Sequence, residues 1–200
     1  AGVDPSGGAG IAADLKAFSA QGAYGMCVVT ALTAQNTRAV TGVRLIEPAF
    51  VAEQIDAVFA DVRVDAVKIG MIGTAEIAAA VAAALRRHAA RHVVIDPVMI
   101  AKSGDRLLAE AAVEAMRTLL LPLAEVVTPN LPEAAVLVGT PEPRDLAGMR
   151  AAATAIAALG PASVLVKGGH LDGPESIDVF LDGDAFTELR APRIATKNTH

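Results

Sequence analysis

Short β-branched apolar runs alternate along the chain with longer stretches of helical period. The runs are Ala23 to Leu32, Asp65 to Met71, His92 to Val98, Glu125 to Asn130 and Ser163 to Gly169, and each closes on polar or glycine-rich residues. Apolar runs of this kind with turn signals at their ends predict buried parallel strands. Between them, Ala9 to Gln21, Pro48 to Asp61, Ala75 to Arg87, Ala109 to Leu120 and Asp145 to Leu159 carry the helical period. Thr74 before the third of these, Pro48 in a first turn, and Arg86 and Arg87 at a C-terminal end are the capping and dipole signals that such helices use. The alternation predicts a doubly wound, mostly parallel α/β sheet flanked by helices. Toward the C-terminus the pattern changes: Ser176 to Leu189 reads as two strands around Asp182-Gly183, an antiparallel edge hairpin.

No repeat, low-complexity tract or linker interrupts the 200 residues, so a single domain is expected over 1–200. With 53% hydrophobic residues, 3% aromatic and no Trp, its core is built from Ala, Val, Leu and Ile. The net charge of -5 comes without a basic run, which argues against a nucleic-acid partner. No apolar run reaches the roughly 18 residues that span a bilayer, so no membrane is expected. A single cysteine, Cys27, excludes an internal disulfide and fits the reducing cytoplasm.

In open α/β sheets ligands bind beyond the carboxyl ends of the strands. There the chain places Gln35 and Asn36, Gly70 and Met71, Asp96 and Pro97, Asn130, and Gly168 to His170. The glycine-rich turn "DPSGGAGIAADLKAF" (Asp4 to Phe18) contains the pattern G-x-G-x-x-A, but no acid lies between Asp14 and Glu47 to hold a ribose, which counts against a dinucleotide fold. No Gly-Lys-Ser/Thr follows, so a phosphate-binding P-loop fails too. Two readings remain: Asp4 or Ser6 caps the helix, or Asp14, one turn in on an apolar helix, faces a ligand.

"TPNLPEA" sets Asn130 and Glu133 either as a capping pair or as a polar corner that holds hydrated Mg²⁺. "VLVKGGH" sets Lys167 beside the Gly168 and Gly169 N–H groups as a phosphate site, or as a lysine reaching into water. Asp96 is a turn former or an acid on metal-bound water. Cys27 and the methionines read as packing residues, although Met71 at a strand end suits a ring pocket.

Taken together, "DPSGGAGIAADLKAFSAQGAYGMCVVTALTAQNT", "VKIGM", "VVIDPVMIAKSGD", "VVTPNLPEA", "VLVKGGHL" and "ATKNTH" closely resemble, in order along the whole chain, the hydroxymethylpyrimidine/phosphomethylpyrimidine kinases of thiamin biosynthesis, of the ribokinase superfamily. The resemblance implies a ribokinase-like fold and two ATP- and Mg²⁺-dependent phosphorylations, of the pyrimidine's hydroxymethyl group and then of the monophosphate. It implies that Asp14 and Gln35 bond the aminopyrimidine edge, with Gly2, Ala9, Met71 and Val98 packing around the ring. Gln35 stands where family members can carry Glu; a neutral amide both donates and accepts. It further implies Asp96 and Glu133 on Mg²⁺ through water, Asn130 and Lys167 on the phosphates, Gly169 and Thr196 near the nucleotide, and Met99 to Leu108 as a flap that excludes water. A homodimer is expected by the same resemblance.

The family pattern continues past both ends, with a first strand before Ala1 and Gly-Thr-Gly-Cys after His200 that supplies a phosphate-binding helix N-terminus and the base. The domain is therefore expected to lack both pieces over 1–200. A polypeptide ending at His200 is expected to be unstable and inactive, and one that continues is expected to be the kinase. The alternatives are a pyridoxal-type kinase, a non-catalytic pyrimidine-binding relative, or one part of a fused thiamin-pathway protein.

Overall fold

A computed structural model describes residues 1–99, 110–169 and 171–194. The first three strands, β1 (Gly2–Val3), β2 (Ala31–Gln35) and β3 (Val40–Leu45), form a small sheet in that order, parallel between β1 and β2 and antiparallel between β2 and β3. A six-stranded sheet follows in sequence order: β4 (Val67–Ile69), β5 (Val93–Ile95), β6 (Val126–Val127), β7 (Ser163–Val166), β8 (Glu175–Asp182) and β9 (Ala185–Pro192). From β4 to β7 the pairing is parallel, and β8 and β9 close the edge as the antiparallel hairpin, turned at Gly183 with φ +56°. Val93, Ile95, Val127, Val164 and Val166 are all buried, which is why these strands read as continuous apolar runs. The fold is thus α/β with a mostly parallel sheet.

The helices are α1 (Gly10–Ala20), α2 (Pro48–Asp61), α3 (Ala75–Arg87), α4 (Glu110–Ala115), α5 (Leu131–Val138) and α6 (Leu146–Ala157). Helix α3 shows how local chemistry sets an element. Thr74 Oγ1 accepts from the Ile77 N–H, Arg86 and Arg87 sit at the negative end, and Ile77, Ala78, Val81, Ala82, Ala84 and Leu85 form its buried face. Small alanines on that face bring the helix close to its neighbours.

Several boundaries differ from the sequence expectation. The run from Ala23 to Leu32 is a strand only from Ala31 onward, and the strand continues to Gln35. At Val29 both backbone groups are bonded by the Gln54 side chain, whose Oε1 accepts from the N–H at 3.0 Å and whose Nε2 donates to the C=O at 3.1 Å. A side chain from α2 thus stands in for a neighbouring strand. Strand β3 was not expected, because Gly42 interrupts its β-branched run; Gly42 lies across from Ala34. Helix α4 does not run to Leu120: it widens into a π turn at Met116–Leu120 and tightens to 3-10 at Leu121–Leu123, ahead of and around Pro122, which lacks an N–H and crowds the preceding turn. Helix α5 ends at Gly139 in the left-handed region, φ +68°.

Candidate active site

The glycine-rich turn is organised by Asp4, which is 3% exposed. Its carboxylate accepts from the N–H groups of Ser6, Gly8 and Ala9 at 2.8, 3.1 and 2.9 Å and from the Ser6 hydroxyl. Neither Asp4 nor Ser6 caps α1, contrary to that expectation; the N-cap is Ala9 and makes no side-chain cap bond. Asp4 holds the turn one step earlier. Burial opposes its ionisation, but the bonds from Ser6, Ala9 and Gly8 outweigh this and hold its carboxyl below the ordinary value. Gly10, at φ +57°, lies so close to β1 that a Cβ would stand 2.3 Å from the Gly2 carbonyl oxygen, so the turn folds back on the strand only with glycine there.

Asp14 emerges one turn into α1 and meets a residue the sequence reading missed. Lys68 Nζ, from the middle of β4, donates to both Asp14 carboxylate oxygens at 3.0 and 3.2 Å and lies 3.9 Å from Asp96 Oδ2. Asp96 Oδ1 in turn accepts from Lys167 Nζ at 2.8 Å. Asp14, Lys68, Asp96 and Lys167 therefore form a chain of alternating charge across the ends of β4, β5 and β7. Its side chains are 22–38% exposed, so each charge is partly desolvated and is compensated by its neighbour. The signal for Lys68 was a lone cation inside the apolar run "AVKIGM".

Lys167 is anchored by its own N–H, which donates to the Pro129 carbonyl at 2.8 Å, and it bridges in parallel to Asn130. The expectation of two free N–H groups beside it is corrected at Gly168, whose N–H donates to Asp178 Oδ1 at 2.8 Å. A Cβ at Gly168 would lie 1.9 Å from the Ile177 carbonyl oxygen, so β8 presses directly on this turn. Gly169 is exposed.

Asn130 and Glu133 make the capping box of α5: Asn130 Oδ1 accepts from the Glu133 N–H and Glu133 Oε2 accepts from the Asn130 N–H, both at 2.9 Å. The same pair stands in the polar corner, because Glu133 also takes the Met99 N–H and feels the charges of Lys167 and Asp96. Burial pushes the Glu133 carboxyl up from 4.5 to about 7, against the pull of the Asn130 N–H and Lys167, while Asp96 adds to the rise. Among the described residues no group of three acids, histidines or cysteines could hold a metal directly. Two carboxylates, Asp96 and Glu133, near a lysine would suit a cation held through water and do not make a protein cage.

At the other end of the charge chain, Gly2 is buried against Met71, whose Sδ lies 3.2 Å from where a Gly2 Cβ would be. Thr30 Oγ1 donates to the Met71 carbonyl at 2.7 Å and fixes that strand end. Ala9 is tied in through Asp4. Gln35 closes β2 at a register shift, and the single Thr33 O–H donates to the Val3 carbonyl at 2.8 Å with Gln35 Oε1 as the longer alternative acceptor at 3.2 Å. Val98 is half-buried and its N–H donates to the Asp96 carbonyl at 2.8 Å. Thr196, and the expected flap apart from Met99, lie outside the described residues.

The phosphomethylpyrimidine kinase family model matches residues 4–200. The chain belongs to this family. It is 54% identical over 200 residues to the hydroxymethylpyrimidine/phosphomethylpyrimidine kinase of Salmonella typhimurium, covering all of this chain and 75% of that protein. Among solved structures, a phosphomethylpyrimidine kinase from Clostridium difficile superposes with a TM-score of 0.86 at 45% identity, over 94% of this chain and 80% of that one. An ADP complex of a Bacillus subtilis pyridoxal kinase gives 0.89 at 36% identity, over 98% and 74%. The chain is accordingly a kinase with a ribokinase-like fold, and ATP is the phosphoryl donor such a kinase uses. Among the described residues no helix is long and apolar enough to cross a membrane.

Proposed function

We propose that this kinase phosphorylates the hydroxymethyl group of 4-amino-5-hydroxymethyl-2-methylpyrimidine with ATP and then phosphorylates the monophosphate to the diphosphate, in thiamin biosynthesis. The observation that carries the reading is the charge chain from Asp14 to Lys167, which runs from the helix beside the Gly2 and Met71 corner to a polar corner at Asp96, Asn130 and Glu133.

In this reading Asp14, held in place by Lys68, and Gln35 bond the amino-bearing edge of the pyrimidine. Gly2, Ala9, Met71 and Val98 enclose the ring. Lys167 and Asn130 hold the transferring phosphate, with Gly169 and Thr196 along the nucleotide. Phosphoryl transfer depends mainly on positioning and charge stabilisation, and these side chains supply both. Asp96 and Glu133 would hold Mg²⁺ through water, and when bound that ion neutralises phosphate oxygens. Lys167 is the catalytic residue among those described, because it meets the charge that moves from donor to acceptor. The reading includes a cytoplasmic homodimer; half-exposed Leu32, Leu45 and Phe50 supply apolar surface for self-association.

The test is ADP release on protein of recorded intact mass, with hydroxymethylpyrimidine, ATP and Mg²⁺. Release that requires the pyrimidine and falls at least about a hundred-fold in Lys167→Ala supports the reading. Pyrimidine binding with no ADP release would overturn it in favour of a binding protein. Direct competition between the pyrimidine and pyridoxal separates it from pyridoxal kinase.

A further inference from the structure

Between β7 and β8 the backbone carbonyls of Gly169, Leu171, Gly173 and Glu175 converge on one side chain. Arg193, one residue past β9, donates from Nη1 to Gly169 at 2.9 Å, from Nε to Gly173 at 3.0 Å, and from Nη2 to both Leu171 and Glu175. Its own N–H donates to the Pro174 carbonyl at 2.9 Å, so the main chain of Arg193 is pinned to the same segment. Four of the five guanidinium N–H groups are thus spent on main-chain oxygens. Among the described residues Arg193 makes no ion pair with a carboxylate, so charge pairing is not its role.

The arrangement needs a planar fork. A lysine ammonium has three donors on a single atom and cannot span carbonyls spread over seven residues. Without the cation, four carbonyl dipoles would point at one another, and Gly173, at φ +130°, would have little to hold it in that conformation. The segment also has a neighbour. Leu171, Asp172, Glu175 and Ile177 wall a cleft of 480 Å³ that Leu131 and Leu146 also line. Leu131 directly follows Asn130, so one lining residue of the cleft is the chain neighbour of the corner assigned to the phosphates.

We infer that Arg193 is a positioning residue for the nucleotide: it shapes the segment after Lys167 so that Gly169 and the cleft wall stand ready for ATP. The inference deepens the proposed function and rests on its placement of the nucleotide beside Lys167 and Gly169. Arg193 touches no reacting atom, so its effect is confined to nucleotide affinity.

The experiment compares wild type with Arg193→Met and Arg193→Lys in three measurements. These are the KM of each substrate with kcat, calorimetric Kd of a non-hydrolysable ATP analogue, and amide exchange of Leu171 to Gly173. The expected result is a rise of about ten-fold in KM for ATP and in Kd of the analogue in both variants, with faster exchange in the segment and with pyrimidine KM and kcat within about two-fold of wild type. Failure of the lysine to restore affinity is part of the expectation, since charge alone does not reproduce the fork. Unchanged exchange, or faster exchange with unchanged analogue affinity, overturns the inference. A purely structural role would lower kcat and melting temperature without the KM split, and overturns it as well. A wild type that binds the analogue but does not turn over the pyrimidine overturns the proposed function alone, because the analogue and exchange measurements still report on Arg193.

Discussion

Replacing Glu133 by Gln removes a buried carboxylate while keeping its shape. In the folded protein burial raises this carboxyl from 4.5 to about 7, so between those values the unfolded chain releases a proton that the folded chain retains. Stability therefore falls as pH rises through this window, and above about pH 7 the folded protein carries the full penalty, about 3 kcal/mol. Lys167 reduces that penalty and Asp96 increases it, and both effects are already contained in the raised value. Gln, like the protonated carboxyl, has one carbonyl oxygen to offer to the Asn130 and Met99 N–H groups, so it mimics the neutral form of Glu133. Any offset that does not depend on pH drops out of the change in the wild-type-to-variant difference between one pH and another. Going from about pH 5, where nearly 1 kcal/mol of the penalty is already present, to about pH 8.5, Glu133→Gln is expected to gain about 2.5 kcal/mol on wild type, which for a chain of this size is a relative rise of about 5–10 °C in melting temperature. Thermal unfolding of both proteins without nucleotide or added Mg²⁺, across that range, reads it directly. A melting-temperature gap that does not change with pH would refute the argument, since it would mean Glu133 is ionised throughout.

Three further outcomes follow from single contacts. Gly168→Ala places a Cβ 1.9 Å from the Ile177 carbonyl oxygen; backbone has to move, and urea unfolding is expected to show a loss of at least about 3 kcal/mol. Asp4→Ala leaves the Ser6, Gly8 and Ala9 N–H groups without their acceptor, a loss of about 2 kcal/mol near pH 7. Because the Asp4 carboxyl sits below its ordinary 3.8, its contribution is present above that value and disappears as pH falls through the lower folded value, so urea midpoints of wild type and variant should converge in acid. Lys68→Met leaves Asp14 and Asp96 facing each other without their shared cation. Steady-state kinetics should show pyrimidine KM rising about ten-fold with ATP KM changed less than about two-fold, and an equal rise in both would contradict the assignment of Asp14 to the ring.

The sequence by itself determined what is local in this protein. Apolar period marked α2, α3 and α6, with Pro48 and Thr74 as end signals for the first two, because a cap such as Thr74 acts within three residues of itself. Buried β-branched runs located β4 to β7, and the rule that parallel strands present ligands at their carboxyl ends gathered Asp96, Asn130 and the glycine turn that follows Lys167. Motif order along the whole chain then carried the family. What only the tertiary structure decided are pairings between residues far apart in sequence. Lys68 lies 54 positions from Asp14 and looks, in sequence, like a stray charge in a strand. Arg193 has no local partner and acquires its role only when β8 and β9 return the chain to the segment after Lys167. The start of β2 at Ala31 rather than Ala23 was likewise settled by the Gln54 amide, which occupies the backbone groups that a strand would have used. Periodicity reports which face of an element is buried. It does not report which element arrives there, and that choice depends on long-range packing and on the satisfaction of every buried polar group.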